Sequence, residues 1–399
     1  MSIKTQVNTS FENTSVAFSS KTDGALRKMY WLFFLMNIRF LVKIGTSFIQ
    51  LAFFLRLPIK WLIKRTIFSQ FCGGESIQDS DKTIQKLHEY HIGTILDYSV
   101  EGEKNEEGFE HTTREIIKTI DKAALNPDKI PFCVFKVTGI APFALLEKKQ
   151  SQEELTEKER RAWRKVKKRM EIILGRAFER KVRIFIDAEE SWIQKTIDEL
   201  AYEMMEYYNE QEALVYNTYQ MYCRDSYSRL QEAYQRAQEY GYFLGVKLVR
   251  GAYMEKERVR AQAKAYPDPI QPDKKSTDED YNRALDFCVQ HRDKIALCAG
   301  THNEESNYYL ISLMEQYNIA PNDPHFYFSQ LYGMSDHISY NLAKDGYNVA
   351  KYVPYGPVAS VLPYLFRRAE ENTAVAGQSS REYNLIKTEI KRRRSSLNR

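Results

Sequence analysis

The chain has 399 residues, with 58 Lys and Arg against 53 Asp and Glu for a net charge of +5, and 43% of it is apolar. That length and apolar share suit one large domain with an extension, and they exclude disorder, collagen or a coiled coil for the whole chain. The surplus charge sits in residues 387–399, where Lys387, Lys391, Arg392, Arg393, Arg394 and Arg399 face only Glu389; the remainder sums to zero and gives no basis for nucleic-acid binding. Five cysteines (72, 133, 223, 288 and 298) form an odd set without a C-x-x-C pair, which argues against a disulfide framework or zinc cage and for a reducing compartment.

The first 20 residues are rich in Ser and Thr and lack an apolar core or an arginine series, so neither a secretory signal nor a mitochondrial transit peptide is expected. From Gly24 to Gly74 no acidic residue occurs, yet Arg27, Lys28, Arg39, Lys43, Arg56, Lys60, Lys64 and Arg65 are scattered among Trp, Phe, Leu and Ile. The longest uncharged runs, 29–38 and 44–55, fall short of the roughly 20 residues of a spanning helix. Two readings of this segment stand side by side: helices lying in the interface of an anionic bilayer, or packing helices whose lysines snorkel past a buried apolar face. The Arg-rich tail, 376–399, reads as a solvated, frayed end.

Beyond residue 90, β-branched and aromatic runs alternate with helical segments. The strands are predicted at 92–99, 132–138, 182–188, 213–220, 243–250, 295–301, 326–331 and 348–353. Between the second and third, Trp163, Val166, Met170, Ile173 and Leu174 recur at helical spacing in a highly charged stretch. Eight β/α units predict a (β/α)8 barrel over 91–375, preceded by a helical extension over 1–90. Polar residues gather at the strand ends: Asp97 and Glu101, Lys136, Asp187 and Glu189, Gln220, Lys247 and Arg250, Thr301 with His302 and Asn303, Gln330, and Tyr352. In such a barrel these carboxyl ends form the face that carries the active site, although any one of these residues could equally cap a helix.

There is no G-x-S-x-G, Walker loop, H-E-x-x-H or G-x-G-x-x-G, and of seven histidines only His302 ends a strand, so a metal site is not expected. The remaining face of Arg, Lys, Gln, Thr and Tyr suits a large anionic cofactor and a small anionic substrate. In Lys247-Leu248-Val249-Arg250-Gly251-Ala252-Tyr253, the small residues after a cationic strand end would let backbone approach a ligand, or would merely turn. In the helix with Tyr364, Arg367 and Arg368, i,i+3 and i,i+4 spacing puts all three on one face; the arginines could clamp a carboxylate or pair with Glu370 and Glu371 on a solvated surface.

Taken in order, F-K-V-T-G at Lys136, I-D-A-E at Asp187, Tyr219-Gln220, K-L-V-R-G-A-Y, Thr301-His302-Asn303, Ser329-Gln330-Leu331-Tyr332-Gly333-Met334, Tyr352-Val-Pro-Tyr-Gly and Y-L-F-R-R-A-E-E-N resemble the proline dehydrogenase family from about Asp97 to Asn372. The resemblance implies a flavin-binding (β/α)8 barrel that uses FAD to oxidise L-proline to 1-pyrroline-5-carboxylate, passing electrons to a membrane quinone. It implies that Arg367 and Arg368 hold the proline carboxylate. Lys136 contacts the substrate, and Asp187 orients Lys136 and the substrate amine. Tyr352 and Tyr364 wall the ring, with tyrosine at 352 in the proline-selective form. Ala188, Gln220, Val249, Arg250, Gly251, Ala252, Tyr253, Thr301, His302 and Glu371 match flavin-binding positions.

Many bacterial members have Arg-Leu-Val-Lys where this chain has Lys247-Leu248-Val249-Arg250. Lys247 thereby takes the place of the arginine beside the reactive edge of the flavin, keeping its charge without its fork. Glu101 is expected to pair with Arg367 as a gate. Residues 373–399 leave no room for an aldehyde-dehydrogenase module, so a monofunctional enzyme is expected, cytoplasmic and peripheral on the inner face of the cell membrane if 24–74 binds lipid. The alternatives are a hydroxyproline or other cyclic amino-acid dehydrogenase, and a non-catalytic membrane-associated barrel.

Overall fold

A computed structural model of the chain describes residues 8–55, 57–99, 105–374 and 378–397. Eight parallel strands close a barrel in sequence order: β1 (Ile92–Tyr98), β2 (Phe132–Phe135), β3 (Arg183–Ile186), β4 (Val215–Gln220), β5 (Leu244–Val249), β6 (Ile295–Gly300), β7 (Phe326–Leu331) and β8 (Val349–Tyr355). All eight predicted strands are present. Several stop a few residues early because the backbone turns into the next loop once it passes the barrel rim. After Phe135, for example, Val137–Gly139 wind into a 3-10 turn.

Some of the connecting helices begin at side-chain caps. Asn105 accepts from the Gly108 amide at 2.9 Å to start Glu106–Ala124, and Thr156 with Glu159 forms a capping box before Glu157–Glu179. Inside the barrel Phe132 stacks on Phe185 with centroids 4.4 Å apart. Below them the Arg183 guanidinium lies between the rings of Phe132 and Tyr327, at 4.4 and 4.8 Å. Aromatic filling of this kind makes the lower barrel a packed plug and leaves the carboxyl-end face for chemistry.

A second apolar core lies outside the barrel. It is shared by α1 (Asp23–Met36), α2 (Arg39–Phe54), α3 (Leu362–Ala374) and α4 (Gln378–Leu397), and its buried members include Leu26, Phe33, Val361, Leu365 and Ile386. The C-terminal tail, expected to fray, is the helix α4. Glu382, Leu385, Ile386 and Glu389 are buried on its inner side, and Arg393 donates to the carbonyls of Lys21 at 2.8 Å and Phe18 at 2.9 Å and pairs with Asp23. Its cationic composition hid this inner apolar stripe. Among the described residues no single helix is long and apolar enough to cross a membrane; α1 and α2 satisfy length and composition together but meet at a 97° bend.

Candidate active site

Strand register assembles the site. β2 and β3 pair Phe135 with Ile186, so Lys136 and Asp187, each one residue further on, emerge side by side at the rim. β1 pairs Ile95 with Tyr352 of β8, and Asp97 lies level with Val134 and Pro354. Lys247 projects from β5 between the rings of Phe185 and Tyr352, 5.1 Å from each centroid.

Asp187 is the hub. Its Oδ1 accepts from Lys247 at 2.5 Å, and its Oδ2 accepts from Lys136 at 3.1 Å and from the Tyr352 hydroxyl at 2.9 Å. Burying a carboxylate is costly unless charge and hydrogen bonds offset it, and here two ammoniums and a phenol do so. Burial opposes ionisation of Asp187, but Lys247 and Lys136 outweigh it and hold the carboxyl well below the usual range. Burial likewise works against the charge of Lys136, yet Tyr352, Asp187 and Asp97 raise its pKa well above the ordinary value. The Tyr352 hydroxyl is pushed far up by burial and by the two aspartates.

Two further carboxyls stand beside Lys136, and the sequence reading gave neither a role. Asp97 is buried, accepts from Ser99, and is raised by burial. Glu189 accepts from the Thr138 amide at 3.0 Å and from the Thr138 hydroxyl. Burial pushes it up to about 7. Both were visible only as polar strand ends, because their shared neighbour Lys136 is set by register and not by spacing along the chain.

The rim over β4 to β7 is a separate patch of donors. Arg250 lies 4.4 Å over the Tyr281 ring and donates to Asp278 at 2.7 Å, Thr301 at 2.5 Å and Ser306 at 2.9 Å. Gln220 gives its amide to the Glu189 carbonyl at 2.6 Å, and Gln330 donates to the Thr301 carbonyl at 3.1 Å. His302 Nδ1 lies 2.8 Å from Ser335 Oγ; burial, then the charges of Lys351 and Arg368, drive its pKa well below the ordinary value, so its ring is neutral. Val249 and Tyr253 are half-buried and Ala252 is exposed at the same rim, with Ala188 buried across from them.

Gly251 has φ +132°, and a Cβ there would meet the Tyr222 ring at 2.4 Å. The missing side chain admits an aromatic ring of the protein.

α3 follows β8 and carries both arginines. Arg368 is buried, 7% exposed, with its guanidinium 5.3 Å from the Tyr364 ring. Its charge reaches His302. The solvated-surface alternative for this pair therefore does not hold at Arg368; Arg367 is half-buried. The Glu101 gate lies outside the described residues, as does the side chain of Glu371.

The site thus brings together Lys136, Asp187, Lys247 and Tyr352 in one cluster, Arg250 with Thr301 in a second, and Tyr364 with Arg368 in a third. The donor set suits an anionic, aromatic cofactor. Cationic Lys247 and Arg250, the Thr301 hydroxyl and the neutral His302 line one side of the mouth, and the rings of Phe185 and Tyr352 flank Lys247.

The sequence matches the family model described as proline dehydrogenase over residues 80–381. Proline dehydrogenase 1, mitochondrial, of Dictyostelium discoideum is 34% identical over 96% of this chain and 74% of its own length. The hydroxyproline dehydrogenase of Xenopus laevis is 32% identical over 84% of this chain and 79% of its own. Among solved structures, proline utilization A from Bdellovibrio bacteriovorus, inactivated by N-propargylglycine, superposes with a TM-score of 0.73 at 18% identity, covering 96% of this chain. The present chain spans only 41% of that protein's length, and the likeness shows a shared (β/α)8 fold.

Proposed function

The chain belongs to the proline dehydrogenase family, enzymes of proline catabolism, and we propose that it oxidises L-proline to 1-pyrroline-5-carboxylate with FAD and delivers the electrons to a membrane quinone. The observation that carries this reading is the Asp187 hub: a buried carboxylate fixed by two ammoniums and a tyrosine at the mouth of the barrel. Arg367 and Arg368 bind the substrate carboxylate, and Tyr352 and Tyr364 wall its ring. Lys136 and Asp187 orient the amine. Rigid attachment to strand ends supplies the positioning that such a reaction needs. Bound flavin supplies the hydride acceptor. Lys247 places positive charge beside it, and Ala188, Gln220, Val249, Arg250, Gly251, Ala252, Tyr253, Thr301, His302 and Glu371 make its cradle. Glu101 closes over the substrate by pairing with Arg367.

The test is the visible spectrum of the purified protein before and after anaerobic L-proline, with hydroxyproline as comparison. Flavin bands bleached by proline alone support the proposal. Bleaching by hydroxyproline alone would move the substrate to that neighbour, and a colourless protein that FAD cannot reconstitute would overturn it. Selectivity for proline comes from Tyr352, whose hydroxyl is held on Asp187 and resists displacement by a ring substituent. The quinone is expected to come from a lipid bilayer reached through the apolar face of α2.

A further inference from the structure

Ser335 stands immediately before the helix Asp336–Lys344, where a serine ordinarily has an extended backbone and accepts from an amide of the first helical turn. It does neither. Its φ is +51° and its ψ 42°, a left-handed conformation that residues with a Cβ rarely adopt, and its side chain makes no cap bond. The hydroxyl is turned onto His302 instead, with Oγ 2.8 Å from Nδ1. The Leu331 N–H, which can only donate, faces the other ring nitrogen at 3.5 Å, so the ring proton is on Nδ1 and is given to Ser335. The backbone N–H of Ser335 is taken by the carboxylate of Glu382, which is buried on α4. Its neighbour on α4, Arg381, donates to Glu304 at 2.8 Å, two residues past His302. Consecutive residues of the C-terminal helix therefore hold both the segment that carries His302 and the segment that carries its hydrogen-bond partner.

A strained backbone persists only where its surroundings over-determine it, and here they do so at a residue bonded to the proposed flavin cradle. Capping alone does not call for this geometry, since an extended Ser335 could cap the helix with its own hydroxyl. We propose that Glu382 is a positioning residue for the cofactor site: by holding Ser335 in the left-handed conformation it keeps the Ser335 hydroxyl on Nδ1 and so fixes both the rotation and the tautomer of His302. The inference rests on His302 belonging to the flavin cradle proposed above. With both ring nitrogens engaged by the protein, the imidazole is held in one orientation before any ligand arrives. A side chain already ordered loses little freedom on binding, so the gain is in affinity for the cofactor. On this reading α4 is a working part of the cofactor site, reaching it through Glu382 and Ser335, and its cationic outer side has no share in that role.

The experiment uses the full chain stripped of flavin and reads two quantities: the nitrogen NMR signals of its histidine side chains before FAD is added, and the dissociation constant for FAD from the quenching of its fluorescence. The wild type should show His302 as a single tautomer with its proton on Nδ1. Ser335→Gly keeps the left-handed backbone at no steric cost and removes only the hydroxyl. It should melt close to wild type, turn His302 into a mixture of tautomers, and bind FAD about tenfold more weakly. Glu382→Ala should show the same two changes, and Glu382→Gln, whose carbonyl oxygen still accepts from the Ser335 N–H, should recover most of both. Ser335→Gly combined with Glu382→Ala should weaken FAD binding little beyond either alone, because both act through one bond to His302. Should Glu382→Ala not fold, Glu382→Asp, which leaves the carboxylate one methylene short of the Ser335 N–H, takes its place. An unchanged tautomer with wild-type FAD affinity in Ser335→Gly, or a Glu382 variant that melts lower and does nothing else, would overturn the assignment. Tautomers that shift as expected in a protein that binds no FAD would instead overturn the proposed function.

Discussion

Asp187 holds two ammonium groups and a phenol at once, so the consequence of removing it follows from what it leaves behind. Asp187→Ala strands Lys247 and Lys136 at the barrel mouth with their counter-charge gone, and a broken buried pair of this kind costs about 3–5 kcal/mol. Thermal melts of the variant should show that loss together with lost proline turnover. Asp187→Asn, which keeps the shape, should lose turnover with a smaller drop in melting temperature. The pH dependence has a definite sign. The folded carboxyl titrates below its ordinary 3.8, so its stabilisation is fully present above that value and is lost as pH falls through the lower folded value. The gap in melting temperature between wild type and Asp187→Asn should therefore be constant at neutral pH and close only in strong acid. A gap that closes near pH 6 would assign the effect to another group. Asp187, Lys136 and Tyr352 were legible in the sequence as strand-end residues and through the family pattern. The resemblance implied that Asp187 orients Lys136, but not that Tyr352 and Lys247 meet the same carboxylate, because that depends on strand register.

At the scale of elements, all eight strands were legible because β-branched or aromatic runs alternate with longer segments of helical character. The terminal helices were harder. α4 was masked by its arginines, although Glu389 accepts from Arg392 and Arg393 and so neutralises part of that charge from inside. Lys351, fully buried on β8, could not be anticipated from a strand pattern at all. It pairs with Asp336 at 3.0 Å, and Asp336 in turn holds Lys21 of the N-terminal extension at 3.0 Å. A second joint between extension and barrel is Gly333, in the loop after β7. Its φ is +79°, its carbonyl accepts from Gln70 Nε2 at 2.8 Å, and a Cβ there would lie 2.0 Å from the Gln70 carbonyl oxygen. Gly333→Ala should cost about 1–3 kcal/mol, since backbone and not a flexible side chain must move. Limited proteolysis should then cut within residues 60–80 sooner than in wild type. An unchanged cleavage pattern and melting temperature would mean that the loop shifts freely.

At the scale of the whole molecule, the apolar surface is distributed unevenly. α2 buries Ala52 and rests Val42, Ile49 and Phe53 against the second core, but it turns Phe40, Phe48, Leu51 and Phe54 outward, the last 83% exposed. Trp31, Leu57 and Trp61 are exposed as well, and so are Lys43, Lys60 and Arg65. Exposed apolar side chains on one helix with cations nearby in sequence suit the proposed contact with an anionic bilayer. The inner face of α2 packs on the second core, and the outer face is the one proposed to meet lipid. The proposed bilayer contact is tested on vesicles. Wild-type protein should sediment with vesicles of anionic lipid, and less so as salt is raised, because exposed lysines act through a screened field. The paired change Phe48→Glu and Phe54→Glu puts two charges into the face that would enter the headgroup region. It should abolish sedimentation and quinone reduction in vesicles while leaving proline oxidation with a water-soluble acceptor within about twofold, since substitutions of exposed side chains perturb the fold little. If the double variant still bound vesicles, lipid would have to be met by another face, and α2 would serve only to brace α3 and its arginines over the substrate.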